Sequence, residues 1–156
     1  MSTLTQTLPP NAALAPPSPI MLERLAKAHS IMLTLPQVPL TTEHLFHGGM
    51  YVRTIRLRAG VYMLGSLILR ATVLIVHGDC SVTSGDQRLD LTGYNVLPGS
   101  AGRKQLFLTH GPVEMTMFFP TSASSVEEAE NEVFAEAEQL QSRKDDSRDV
   151  IVVTGQ

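Results

Sequence analysis

The sequence predicts an all-β fold: one small antiparallel β-barrel or jelly roll, with a helix before it and an acidic helix after it. Three observations carry this expectation. Across residues 48–120, short β-rich runs alternate with Ala59-Gly60, Gly78-Asp79, Ser84-Gly85-Asp86, Pro98-Gly99 and Gly111-Pro112. Strands at that spacing, with turn signals between them, mark a small sandwich or barrel. On either side the apolar period changes to that of a helix, and 156 residues suffice for one domain with a real core plus appendages.

Composition narrows the function classes. Formal net charge is -3, but residues 121–156 hold nine Asp/Glu against three Lys/Arg, whereas residues 41–120 hold five against seven. An acidic end and a mildly basic middle do not make the clustered basic face of a nucleic-acid binder, so no direct nucleic-acid contact is expected. Arg53, Arg56 and Arg58, alternating on one strand, are the only exception. Residues 1–17 lack the basic residue and the apolar run of roughly 7–15 residues of a signal peptide. No segment approaches the ~20 apolar residues of a membrane span, so the expectation is a soluble protein made in a cytoplasm, with no membrane partner. A single cysteine, Cys80, rules out an internal disulfide and a thiolate zinc cluster, and its apolar strand context reads as a small buried hydrophobe rather than a nucleophile.

In chain order, residues 1–19 form a proline-rich arm with five of the ten prolines, among them Pro9, Pro10, Pro16 and Pro17, and no charged side chain. Such a segment is either disordered or laid along a partner, because proline removes backbone donors and favours extended conformers. Ser18-Pro19 then reads as the N-cap and first position of a helix over 20–35, with Leu22, Leu25, His29 and Met32 on one stripe and Pro36 and Pro39 ending it. His29 reads as a core or interface residue. His44 and His47 are three apart, but Gly48-Gly49 follows at once and argues against the helix on which such a pair would bind metal. On the first strand of a barrel over 46–120, Tyr51, Arg53, Ile55 and Leu57 share one face, which puts Arg53 on the apolar, inward side.

Residues 67–69 and 73–76 are apolar on both faces, so cover is expected on both sides. His77-Gly78-Asp79 is expected to end that strand, with His77 at the surface. Ser84-Gly85-Asp86 makes the next hairpin, residues 94–97 and 106–108 are further strands, and Met115, Met117 and Phe119 share a face of the last one. After Pro120, Ser125 and Glu128 form a capping box, and Val126, Ala129, Val133, Ala137 and Leu140 give an acidic helix over 124–143 its apolar stripe. Residues 145–156 are a linker and a terminal strand, Val150-Ile151-Val152-Val153, which needs the edge of a sheet, its own or another chain's.

With the strands placed, residues 46–140 resemble the cupin superfamily: Ala59-Gly60 matches the turn opening its first motif, and Gly93-Tyr94-Asn95-Val96-Leu97-Pro98-Gly99 matches the opening of its second. The run from HGGMYVRTIRLRAG through GSAGRK to the Glu-rich helix is most similar to small cupin-like proteins of tailed bacteriophages. The resemblance implies metal ligands where this chain has Ser66, Leu67, Ile68, Leu69, Arg70, Ala71 and Thr72, and a histidine where it has Arg103. Aliphatic side chains offer no lone pair and arginine offers a permanent cation, so neither a metal nor any other cofactor is expected, and no catalytic residues are identified.

Two readings of function follow. The resemblance implies a non-enzymatic structural protein of a phage particle, a homo-oligomer touching other virion proteins and residing in the virion, or in the host cytoplasm before assembly. Its contact elements would be the arm and residues 150–153, and deleting both would leave the barrel folded. The homo-oligomer is also expected from spare apolar surface on residues 67–76 with Met115, Met117 and Phe119. The alternative is a small-molecule binder or modest enzyme in which Arg53 and Arg103 converge inside the barrel on an anionic ligand. Ion pairs with Glu114 or Asp90 are the purely structural explanation of the same arginines.

Overall fold

The computed structural model describes residues 13–140, 143 and 150–153. In chain order these form α1 (Pro19–Met32), β1 (Thr42–His47), β2 (Met50–Leu57), β3 (Tyr62–Leu64), β4 (Thr72–Ser84), β5 (Gln87–Leu91), β6 (Tyr94–Gly99), β7 (Leu106–Pro120), α2 (Val126–Val133), a 3-10 turn (Ala137–Gln139) and β8 (Val150–Val153). The predominance of strand and the two flanking helices agree with the expected class. Among the described residues no helix is long and apolar enough to cross a membrane.

The antiparallel ladder between β4 and β7 is the spine, running from Val73 opposite Phe118 to Val82 opposite Phe107. β7 carries β2 along 113–120 and β3 along 106–108 on its other edge, while β4 carries β6 along 72–77 and β5 along 80–84. The strand order is β5-β4-β7-β2-β1-β8, with β3 attached to β7 and β6 to β4. The closed antiparallel barrel is therefore only roughly met. The sheet does not close on itself, and β8 pairs with β1 in parallel, Glu43 opposite Val150 through Phe46 opposite Val153.

Neither long strand breaks where turn residues predicted. Gly78 faces Val113 and Cys80 faces Thr109, so Asp79 alone stands opposite residues 110–112. Gly78-Asp79 and Gly111-Pro112 thus make a bulge that bends the ladder instead of two turns that end it, and a proline is tolerated there because a bulge needs no ladder donor. Gly78 has φ +134°, and a Cβ added to it would lie 2.4 Å from the Pro112 carbonyl oxygen. Phe107 and Val82 on one side of the bend, and Met115, Met117, Phe119, Leu74 and Val76 on the other, belong to one buried core. The three β7 residues are therefore interior, which removes them from the spare surface expected to drive self-association. Residues 67–69 are loop, joined to the fold at Ile68, and only the next segment is strand.

Both helices are shorter than their apolar periods suggest. α1 is capped as expected, the Ser18 hydroxyl accepting from the Met21 amide with Pro19 behind it, but it ends at Met32, where the Gln37 side chain donates to the Met32 and Leu35 carbonyls. Of its stripe only Leu25 is buried. α2 starts with Ser125 accepting from the Glu128 amide, while the Glu128 carboxylate accepts from Ser124, one residue earlier than in a strict capping box. It stops at Val133 because Phe134 turns into extended backbone, bridges Ile68 and buries its ring. The amides of Leu69 and Ala135 complete that junction by donating to the Val133 and Leu67 carbonyls. Burying a Phe is worth about 2 kcal/mol, more than the helix propensity it gives up.

The arm departs most from expectation. Pro9 and Pro10 lie outside the described residues, but residues 13–18, including Pro16 and Pro17, are laid on this chain's own sheet. The Leu14 amide donates to the Pro98 carbonyl at 2.7 Å and the Ser100 amide to the Leu14 carbonyl at 3.0 Å. Ala15 exchanges bonds with the Ser84 hydroxyl and the Gly85 amide, and the Ser18 amide donates to Asp86. Leu14 is 0% exposed, so the arm contributes a residue to the core. Residues 150–153 do find a sheet edge, that of β1.

Two outcomes test this architecture. Gly78→Ala should lower stability by roughly 2–4 kcal/mol in urea unfolding, because it adds left-handed strain to a backbone clash. The Ser18 amide holds the Asp86 carboxyl below its ordinary value, and the Ser18 hydroxyl adds to this. A depressed carboxyl contributes above its unfolded pKa of about 3.9 and loses that contribution as pH falls below it. Amide protection factors at Leu14 and Ser100, taken relative to the intrinsic exchange rate at each pH, should therefore fall below about pH 4, and Asp86→Asn should show the same loss of protection at pH 7.

Candidate functional site

A cavity of about 630 Å³ opens into the fold. Its wall comes from β2 (Ile55, Leu57), β3 (Met63, Leu64), β4 (Leu74) and β7 (Phe107, Met115, Met117), whose inward residues follow the strand period. Residues 32–40, the end of α1 and the strap after it, lie across one side, and Phe134 and Glu136 close another. Both arginines singled out from sequence line it. Their environments differ.

Arg53 leaves β2 on the inward face, as the alternation predicts, and its guanidinium pairs with Glu130 of α2, whose side chain is 1% exposed. The other Glu130 oxygen accepts from Arg143 at 3.0 Å. Arg53 also donates to the Tyr51 hydroxyl, which lies 2.6 Å from His44 Nδ1, and stacks over the Phe134 ring. The structural ion pairs expected with Glu114 and Asp90 are not the ones formed: those acids hold Arg56 and Arg88. Glu130 escaped sequence reading because an acid on an acidic helix reads as solvated. The signal was its place between Val126 and Val133, on the buried stripe.

Arg103 is fixed differently. Gly102, at φ +81°, turns the chain after β6, and the backbone of 102–103 bonds Ile68 on both sides. The guanidinium lies flat on Gly99, where an added Cβ would come within 2.5 Å of it. It donates to the Thr72 hydroxyl at 2.7 Å, the Ser100 carbonyl at 3.2 Å and the Gln105 side chain at 3.3 Å, with the Met117 sulfur at 3.8 Å. Three oxygens for five N–H groups leave one N–H on each terminal nitrogen without an oxygen. Arg103 is 2% exposed and, among the described residues, forms no ion pair. Burial pulls its pKa down to about 10, so it remains a cation at neutral pH. Ser66, on the loop tied by Gly65 and Ile68 to Gln105 and Arg103, also lines the cavity, and its hydroxyl is buried with no hydrogen-bond partner.

Arg53 and Arg103 thus share a cavity, but only Arg103 presents unmatched charge to it. Sequence reading missed Ser66, Thr72 and Gln105. The residues at 66–72 do not fit a divalent ion: Ile68 is buried in the core, Thr72 serves Arg103, and no group of three or more His, Cys, Asp or Glu side chains gathers among the described residues. His44 and His47 lie on β1, not in a linker, and three positions apart on a strand they take opposite faces, buried and exposed. His77 is exposed, edge-on to Tyr94, and Cys80 is buried, its thiol pushed up to about 11 by desolvation. Replacing Glu130 by Gln would leave two arginines around a neutral amide. We expect a loss of about 3 kcal/mol in urea unfolding, because one partner of a buried ion pair is gone.

No family profile matches the chain, and no curated protein matches it in sequence. Solved structures do. A cupin superfamily protein of Desulfitobacterium hafniense is 16% identical over 56% of this chain and 83% of its own, with a TM-score of 0.45. A cupin-2 domain containing protein of Shewanella frigidimarina is 10% identical over 64% and 98%, at 0.43. An RmlC-like cupin family protein of Methanocaldococcus jannaschii, with a double-stranded β-helix fold, is 18% identical over 53% and 80%, at 0.44. These three solved structures, each described as a cupin protein, are similar to this chain over 53–64% of its length.

Proposed function

We propose that the protein binds a small organic anion inside this cavity, with the charge held by Arg103. One observation carries the reading: a guanidinium 2% exposed, without an ion-pair partner among the described residues, at the wall of a 630 Å³ space. A buried charge costs several kcal/mol unless it is paired, and a cavity in the range of roughly 300–1,000 Å³ suits a small ligand. The unpartnered Ser66 hydroxyl adds a second polar group at the same wall. The role is binding rather than bond cleavage, since among the described residues of the lining no nucleophile is hydrogen-bonded to a base.

The test is thermal unfolding of the full chain with acetate, benzoate and inorganic phosphate beside acetamide and benzamide. At 100-fold over its dissociation constant a bound anion should raise the midpoint by about 5 °C or more, the amides by none. Arg103→Met should abolish the shift, as should Gly99→Ala, which leaves the strand backbone unstrained and displaces the guanidinium. Equal shifts in wild type and both variants would dispose of the reading.

A second reading keeps the chain as a structural component of a bacteriophage particle, a homo-oligomer in contact with other virion proteins. It is supported by the outer edge of β8, where among the described residues no strand pairs and Ile151 and Val152 are exposed. Such an edge is a template for strand addition. Sedimentation as a 17.0 kDa monomer, with the protein free in lysate and missing from particles, would eliminate it.

A further inference from the structure

We infer that the ligand of this cavity is an amphiphilic monocarboxylate, its head on Arg103 and its apolar body lying toward the strap of residues 33–40; the inference rests on the anion-binding reading above. The charge count comes first. Among the cations lining the cavity, Arg53 shares the single carboxylate of Glu130 with Arg143, while Arg58 and Lys104 lie nearer the solvent, where the exposed Glu136 also borders the cavity. Arg103 is left as the fully buried cation of the lining, with no carboxylate of its own among the described residues. Its shape comes second. One N–H of Nη1 has no partner and the second N–H of Nη2 meets only the weak acceptor Met117 Sδ at 3.8 Å, and a guanidinium fork of that kind matches the two oxygens of a carboxylate.

The rest of the wall sets the body of the ligand. Ile55, Leu57, Leu74, Phe107, Met115 and Met117 give it no charge to meet, and methionine adapts to an irregular apolar shape. The rim continues the same chemistry outward. Leu33 is 61% exposed, Leu35 52% and Tyr62 56%, and all three border this cavity. A polar ligand would leave those side chains in water, whereas an apolar tail running from Arg103 to the mouth covers them. Arg58 and Lys104 at the solvent side raise the local concentration of anions without fixing them.

Calorimetric titration of the full chain with sodium octanoate, sodium acetate, octanol and octyl phosphate decides the matter. Octanoate should bind once per chain, at least about tenfold tighter than acetate or octanol and tighter than octyl phosphate. Arg103→Lys should weaken octanoate about tenfold by losing the fork. Leu35→Asp, at an exposed position where folding is not at stake, should weaken octanoate about tenfold and leave acetate unchanged. If acetate binds as well as octanoate, or Leu35→Asp has no effect, the apolar body is refuted while anion binding stands. Tighter binding of octyl phosphate refutes the carboxylate and likewise leaves anion binding. If none of the anions binds, both the inference and the reading beneath it fall.

Discussion

Everything in this fold hangs on the ladder between β4 and β7. Each of the two strands is long enough to take two shorter partners on its other edge, and the bulge at Gly78 and Pro112 divides the ladder so that each half serves one pair. Four attachments on one bent ladder give a two-layered core without closing a barrel. The cavity follows from the same constraint, since its strand walls are β7, its two edge partners β2 and β3, and the start of β4. What shapes the site is therefore backbone pairing of high sequence separation, and its chemistry is added by the segments that come to rest on it.

Two buried arginines on one wall show how differently a fold can treat the same charge. Arg53 sits within a network in which Tyr51, Glu130 and Phe134 engage it from three directions, an arrangement that ties α2 to β2. Arg103 is held by three neutral oxygens and the Met117 sulfur, which orient a guanidinium without cancelling its field. Arg53 is oriented and neutralised together, whereas Arg103 is oriented without an ion pair among the described residues. The flat contact with Gly99 fixes the plane of the group.

Much of the fold was legible in local sequence, and the failures share a cause. Strand alternation placed Arg53 inward and put Met115, Met117 and Phe119 on one face of β7, though not as core, and Ser18-Pro19 and Ser125 marked the helix starts, because these depend on neighbours within a few residues. Gly78-Asp79 and Gly111-Pro112 read as two ends because each is a turn signal alone. Only their meeting across the ladder turns them into a bulge, and no local pattern encodes that pairing. The end of α2 failed likewise: nothing within the helix says that residues 67–69 wait for Phe134. At the site, Arg103 was singled out only because it stands where the resemblance implies a histidine, and its lack of a carboxylate is a fact about the whole surrounding shell. Leu14 was hidden by five prolines whose plain meaning is solvent.

The position of Leu14 bears on the order in which the chain can be made. Its two backbone partners sit at Pro98 and Ser100, so a nascent chain carries this residue unsatisfied until some 85 further residues have been synthesised. The outer edge of β1 waits longer still, for residues 150–153, which form β8. During translation the first segment and the first strand are thus both held open, and the spine cannot assemble before β7 emerges. The hairpins β1–β2 and β4–β5 and the pairing of β4 with β6 can form early, but the ladders that join them wait for β7, and until then their apolar faces lack cover.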